Sequence, residues 1–296
     1  MKRPLVWIAV ATVVVLLAGF ATLAGIKSEA DGGYALSKIR EWRRDVQDVQ
    51  LAAALQSVPC PASAFVIAAL GQSNAGNHLG PKVARDPSLP VFAFFRDRCV
   101  HLEDPISGAT GEDGSLWTEL AHRLARQRGE PVVVIAGATA GSSVRDWDKD
   151  YAGMTSRASR SIAGAVRAGL TPQVVIWLQG ESDGETRMRQ ATYAAHLENV
   201  ATRINAGIAK EVRATGKTAT PAWIITQTSR CWGAETRSED VRGAQRAAAV
   251  KIPNAHLGPD TDALDDTFRR DGCHFGERGR ARIAGELAAL IPKVLR

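Results

Sequence analysis

Five short runs of nearly unbroken apolar residues, at 64–70, 91–95, 131–136, 173–178 and 222–228, alternate along this chain with longer stretches of helical periodicity. A strand that is apolar at almost every position, not at every second one, has both faces covered, as a parallel strand does between two helical layers. Helical patterns at 116–128, 155–168, 192–215, 237–250 and 277–291 supply the covering segments. The predicted fold is therefore α/β, a three-layer α/β/α sandwich around a mainly parallel central sheet. Such sheets bind ligands outside the carboxyl ends of their strands, so the loops that follow the apolar runs are the places to look for chemistry.

The first run ends in Gly71-Gln72-Ser73-Asn74, a tight polar turn suited to presenting a hydroxyl. Near the other end, Asp271-Gly-Cys-His274 sets a carboxylate and an imidazole three positions apart, just ahead of the last helical pattern. A serine hydroxyl is a weak nucleophile until a base takes its proton, and an imidazole serves as that base when a carboxylate fixes its tautomer. Ser73, Asp271 and His274 supply the three groups, in the chain order Ser, Asp, His. Two further polar segments, Ala138 to Trp147 and Trp177 to Asp183, each follow a strand and fall at the same sheet edge.

In these blocks the sequence resembles the SGNH hydrolases, and among them the branch of sialate O-acetylesterase-like domains and acetyl xylan esterases. Gly-Gln-Ser-Asn at 71–74, Trp-x-Gln-Gly-Glu-x-Asp at 177–183 and Asp-x-x-His at 271–274 match that branch in order and separation, and the likeness runs from Ala64 to Leu290. The resemblance implies an SGNH-hydrolase (flavodoxin-like) sandwich and a serine-dependent carbohydrate O-acetylesterase in which Ser73 attacks, His274 takes the proton and Asp271 orients His274. It also implies an oxyanion site formed by the Ser73 and Gly141 backbone amides and the Gln179 side chain. Gly137 is the second choice of glycine, because Ala140-Gly-Ser-Ser-Val144 keeps one glycine of the family's Gly-Gly-Thr-Ser-Ile. Parts of the family give the acid's role to the glutamate of the central block, so Glu181 is the alternative partner of His274. Asn74 and Trp147 are the substrate-binding candidates, with Trp177 a weaker one, and the role first read for Asn74 is to secure the nucleophile turn. Ala75 replaces the family's methionine beside the nucleophile and alters the expected pocket wall.

The implied substrate is an acetylated carbohydrate of a cell-envelope or exported polysaccharide, and neither cofactor nor metal is implied. The same residues would serve a polysaccharide O-acetyltransferase, which passes the acetyl group to a sugar hydroxyl instead of water. A non-catalytic polysaccharide-binding or assembly protein is the reading from a different class, with polysaccharide-assembly proteins as partners.

The run from Pro4 to Ile26 carries no charge and follows Lys2 and Arg3. A helix needs about 20 apolar residues to cross a bilayer, and flanking basic residues favour a cytoplasmic N-terminus. Residues 1–30 are thus expected to be a signal anchor or a signal peptide. The first would make the membrane a partner and place the protein in the periplasm, anchored to the inner membrane; the second would release it by cleavage. An amphipathic helical lead-in is expected over 31–60, from Leu36, Ile39, Trp42, Val46, Val49 and Ala53 at three- and four-residue spacing, and the esterase domain over 61–296.

The formal charge is +6, but the arginines are spread along helical stretches without a clustered basic and aromatic surface, which speaks against nucleic acid. An exported chain with Cys60, Cys99, Cys231 and Cys273 is expected to form two disulfides, and positions near the sheet edges favour Cys60–Cys99 and Cys231–Cys273. No close Cys-x-x-Cys pair is present and the histidines are scattered, which disfavours zinc. His78, His101, His122, His196 and His256 carry no motif and read as capping, surface or packing residues.

Overall fold

A computed structural model of the chain describes residues 34–215 and 220–295. They fall into two compact units: residues 34–47 with Tyr151–Gly153, and residues 48–150 with the described residues from Met154 onward. Helix α1, Tyr34–Ala54, begins in the first unit. There the Ser37 hydroxyl accepts the Ala152 N–H at 2.7 Å, and the Arg40 guanidinium lies 5.4 Å from the Tyr151 ring centre. The buried positions of α1 are Ser37, Asp48 and Ala52, which follow a different face from the predicted apolar stripe; Trp42 and Val49 are 66% and 51% exposed.

Among the described residues no helix is long and apolar enough to cross a membrane. The described residues thus give no support to the expected signal anchor, to the membrane as a partner or to attachment to the inner membrane. The segment on which those expectations rested, residues 1–30, lies outside the described residues.

The second unit is built on one eight-stranded sheet. Its strands are β1 (Ser57–Val58), β2 (Phe65–Gly71), β3 (Val91–Phe95), β4 (Arg98–His101), β5 (Val132–Ala138), β6 (Val174–Leu178), β7 (Ala222–Gln227) and β8 (Ala255–Asp260), in the order β1-β4-β3-β5-β2-β6-β7-β8. β3, β5, β2, β6, β7 and β8 run parallel, while β4 pairs antiparallel with both β3 and β1. The helices that follow α1 are α2 (Leu116–Arg128), α3 (Val144–Asp148), α4 (Met154–Arg167), α5 (Glu181–Glu185), α6 (Gln190–Ala214), α7 (Glu239–Lys251) and α8 (Glu277–Val294).

Alternation along the central strands builds the three layers. Phe65, Ile67 and Ala69 of β2, with Val174 and Ile176 of β6, share a buried cluster with Leu120 and Leu124 of α2 and Ile283 and Leu287 of α8. The intervening side chains serve the other face, where the Trp177 indole N–H donates to the Tyr193 hydroxyl of α6 at 3.2 Å. All seven β2 residues are buried, the state their unbroken apolar run predicts.

The sequence reading missed β1, β4, β8, α3 and α5. β1 is two residues long, β4 has arginine and histidine at its ends, and β8 holds Gly258 and Pro259 and is only partly buried; none carries an apolar run. The two missed helices are single turns of five residues, too short to show a period. Cys60 is bonded to Cys99, and Cys231 to Cys273.

Candidate active site

Ser73 follows the carboxyl end of β2, the strand that lies between β5 and β6. The chain turns there against β6 so closely that a Cβ on Gly71 would stand 1.9 Å from the Leu178 carbonyl oxygen, so only glycine fits. Ser73–Ala75 then form one 3-10 turn, supported from α2 by the Trp117 indole N–H, which donates to the Ala75 carbonyl at 2.7 Å. Ala75 is fully buried, so its methyl belongs to the core and is no pocket wall. The Ser73 hydroxyl bonds to no group among the described residues.

The acid and the imidazole sit on a small hairpin. Arg269 and Phe275 form an antiparallel bridge at its base, the Arg270 N–H donates to the His274 carbonyl at 2.8 Å, and Asp271, Gly272 and Cys273 make the tip. Asp271 Oδ2 lies 2.8 Å from His274 Nδ1, while Oδ1 accepts the backbone N–H groups of His274 at 2.7 Å and Cys273 at 3.0 Å. Partial burial works to raise the Asp271 pKa, but the bonds from the His274 side chain and from the two backbone amides outweigh it and hold the carboxyl below its ordinary value. With Asp271 ionised, His274 Nδ1 is the donor and Nε2 is free to accept a proton.

Asn74 joins the two loops. Its Nδ2 donates to the Cys273 carbonyl at 3.3 Å and its Oδ1 accepts the Phe275 N–H at 3.1 Å, so the residue after Ser73 holds both chain neighbours of His274. Nδ2 also donates to Glu181 Oε1 at 2.6 Å. Glu181 is fully buried, and burial raises its pKa against the partial relief of the Asn74 bond. It therefore anchors Asn74, and the carboxylate that meets His274 is that of Asp271. Of the two roles read for Asn74, securing the nucleophile turn is the one its bonds serve, and the direct contact with substrate is corrected, because the side chain is completely enclosed with its polar atoms committed to the protein.

The expected oxyanion donors divide. Gly141 is exposed with φ at +69°, nothing lies within 4 Å of where its Cβ would be, and the Ser73 and Gly141 N–H groups meet no acceptor among the described residues. Gly137, the second choice, is paired inside β5 opposite Leu70 and is not at the loop. Gln179 is fully buried and its amide nitrogen already faces Gln72 Oε1 at 3.1 Å, the Ser142 carbonyl at 3.0 Å and the Asp183 carboxylate. Its assignment as a donor to the substrate is corrected to a scaffold that joins three loops.

Asp183 also accepts the Val144 N–H, the first of α3, at 3.0 Å. Burial pushes its pKa up to about 7, partly offset by the Gln179 and Val144 bonds. Trp147 is corrected in the same way as Asn74. It is 1% exposed, donates its indole N–H to Ser142 Oγ at 3.0 Å and packs edge-on against Trp177, so neither indole presents a face to a sugar.

Three residues that carried no motif belong to this region. The Trp232 indole is 58% exposed, and its backbone N–H donates to the Gly272 carbonyl at 2.9 Å, beside the hairpin tip. Buried Arg269 braces the hairpin, donating to the carbonyls of Cys273 at 2.5 Å and Thr261 at 2.9 Å, with its guanidinium 4.7 Å from the Phe275 ring centre. His78 stacks on His274. Their proximity is created by folding, and no local spacing announces it. Among the described residues no group of three or more His, Cys, Asp or Glu side chains is placed to hold a metal ion.

The family model described as carbohydrate esterase, sialic acid-specific acetylesterase, matches residues 104–292, more than half of the chain. A protein from Arabidopsis thaliana has a similar solved structure, with a TM-score of 0.58 at 14% identity, covering 77% of this chain and 98% of that one. The structure of NanS has the same TM-score of 0.58 and identity of 14%, covering 80% of this chain and 98% of its own. At that identity the likeness is one of fold. No curated protein matches the chain in sequence. The α/β/α sandwich and the family match define a carboxylic ester hydrolase that acts on carbohydrate esters. The chain belongs to the carbohydrate esterase family of sialic acid-specific acetylesterases.

Proposed function

We propose that the protein is a carbohydrate O-acetylesterase of the SGNH type, with residues 61–296 as its catalytic domain, Ser73 as nucleophile, His274 as base and Asp271 as the acid that orients it. One arrangement carries the reading: Asn74, next to Ser73, holds the residues on both sides of His274, while Asp271 holds the imidazole. His274 Nε2 takes the Ser73 proton as Oγ attacks the acetyl carbonyl, and Asp271 stabilises the imidazolium. The Ser73 and Gly141 amides receive the oxyanion; one such donor is worth roughly 3 kcal/mol in the transition state. The imidazolium then protonates the departing sugar oxygen. Water, deprotonated by the same imidazole, hydrolyses the acetyl-serine and restores the hydroxyl.

The substrate class is an acetylated polysaccharide of the cell envelope or of an exported material. The disulfides suit an oxidising compartment where such polymers are found, and exposed Trp232 offers an aromatic face to a pyranose ring. Acetate release from acetylated polysaccharide by the parent and by Ser73→Ala, with and without added sugar acceptor, is the test. Release by the parent and its loss in a Ser73→Ala protein of unchanged circular dichroism is the expected result. Acetyl transfer to the acceptor in excess of release would instead make the protein an O-acetyltransferase, and undiminished release by folded Ser73→Ala would remove the serine from the mechanism.

A further inference from the structure

The rings of His78 and His274 lie 5.5 Å apart between centroids, at an interplanar angle of 25°. That stack arises from a close fit around His78. A Cβ at Gly111 would stand 2.8 Å from His78 Nε2, and one at Gly76 3.3 Å from its Cδ2, so two glycines leave room for the imidazole. His78 Nε2 is 3.4 Å from Thr110 Oγ1, and that hydroxyl in turn accepts the Ala140 N–H at 2.8 Å, next to Gly141. His78 thus has its edge toward the loop that carries Gly141 and its face on His274.

We propose that His78 is a positioning residue: its ring, held between Gly76, Gly111 and Thr110, fixes the plane of the His274 imidazole so that Nδ1 stays on Asp271 while Nε2 serves Ser73. The proposal rests on the role of His274 given above. Asp271 holds the ring at Nδ1 and leaves its tilt open to small changes of the side-chain torsions, which a ring stacked on its face limits. The stack also matches the charge that His274 takes on. A neutral imidazole tolerates an imidazolium against its face, and a charged one repels it. Burial lowers the His78 pKa, as do the neighbouring His274 and Arg270, while Asp113 and Asp271 work in the opposite direction; the net shift is downward, away from the charged form that would repel an imidazolium at His274.

Two full-length variants separate the ring from its hydrogen bond. His78→Gln keeps a polar end for Thr110 and removes the ring; His78→Phe keeps the ring and removes the polar end. His78→Gln is expected to lower kcat on ethyl acetate about tenfold or more with KM little changed, and to broaden or shift the downfield proton resonance of the His274 Nδ1–H···Asp271 bond. His78→Phe is expected to stay within about threefold of the parent and to keep that resonance. Circular dichroism confirms that each is folded. Parental kcat and an unchanged resonance in His78→Gln would overturn the proposal, and so would a His78→Phe protein as impaired as His78→Gln. The resonance is measured without substrate. A parent that releases no acetate at all would therefore refute the proposed function, while an altered resonance in His78→Gln would still support the positioning of His274 and an unchanged one would overturn it.

Discussion

Asp271 grips His274 at two points, the ring through Nδ1 at 2.8 Å and the backbone N–H at 2.7 Å, so that the three-residue interval between them closes into a single rigid unit. Glu181, the other acid considered, is spent on Asn74 at 2.6 Å. The two carboxylates therefore predict different phenotypes. Asp271→Asn should lower kcat by about 10²–10⁴-fold, the usual range for losing a correctly oriented general base, with little change in thermal stability. Glu181→Gln, which still offers an oxygen to Asn74, should keep kcat within about tenfold of the parent. Steady-state kinetics on folded proteins decides it, and the reverse ranking would move the acid's role to Glu181.

A pH dependence of stability follows from Asp183. Its ordinary pKa of 3.8 applies in the unfolded chain, and burial raises it to about 7 in the fold. Between these values the folded state binds the extra proton, so stability falls as pH rises from about 4 to 7 and the contribution is fully present only at the acid end. The full shift corresponds to at most ~4 kcal/mol. Denaturant unfolding of the parent and of Asp183→Asn across that window should show the variant gaining on the parent as pH rises. A constant difference between them would mean that Asp183 is not held protonated. Asp271 acts with the opposite sign: its pKa is lowered, so its contribution is lost as pH falls below the ordinary carboxylate range.

The Cys231–Cys273 bridge ties the segment after β7 to the hairpin tip, one residue from His274. Opening it should loosen the hairpin before it loosens the sheet. The Cys231→Ser/Cys273→Ser protein is expected to lose activity at a lower temperature than it loses helical circular dichroism, whereas in the parent the two losses coincide. Peptide mapping without reductant checks the pairing itself, and free thiols at both positions would rule the bridge out.

Trp232 should matter for sugar and not for acetyl. Trp232→Ala is predicted to raise KM for an acetylated xylose about tenfold, equivalent to ~1.4 kcal/mol of binding, while leaving ethyl acetate turnover unchanged. Ethyl acetate lacks a ring to stack, so equal effects on both substrates would point to a disturbed hairpin and not to a sugar platform.

What the amino-acid sequence determined by itself is whatever depends on local pattern. The unbroken apolar run of β2 states that both its faces are covered, and the turn at Gly71 to Asn74 states where the strand stops, because a glycine at that point has no local alternative. The offset between Asp271 and His274 likewise fits one short loop, and so their contact was legible in advance. Tertiary structure decided what depends on contacts between distant segments. Asn74, Trp147 and Gln179 are residue types that bind sugars and oxyanions when exposed, and nothing local reveals that each is enclosed and fully bonded within the protein. Conversely, His78 and Trp232 stand in no motif, and they come to His274 and Gly272 across sequence separations that only the closing of the sheet can bridge. A side chain's chemistry is carried by its type, but whether that chemistry faces a substrate or the interior is set by which other segments fold over it.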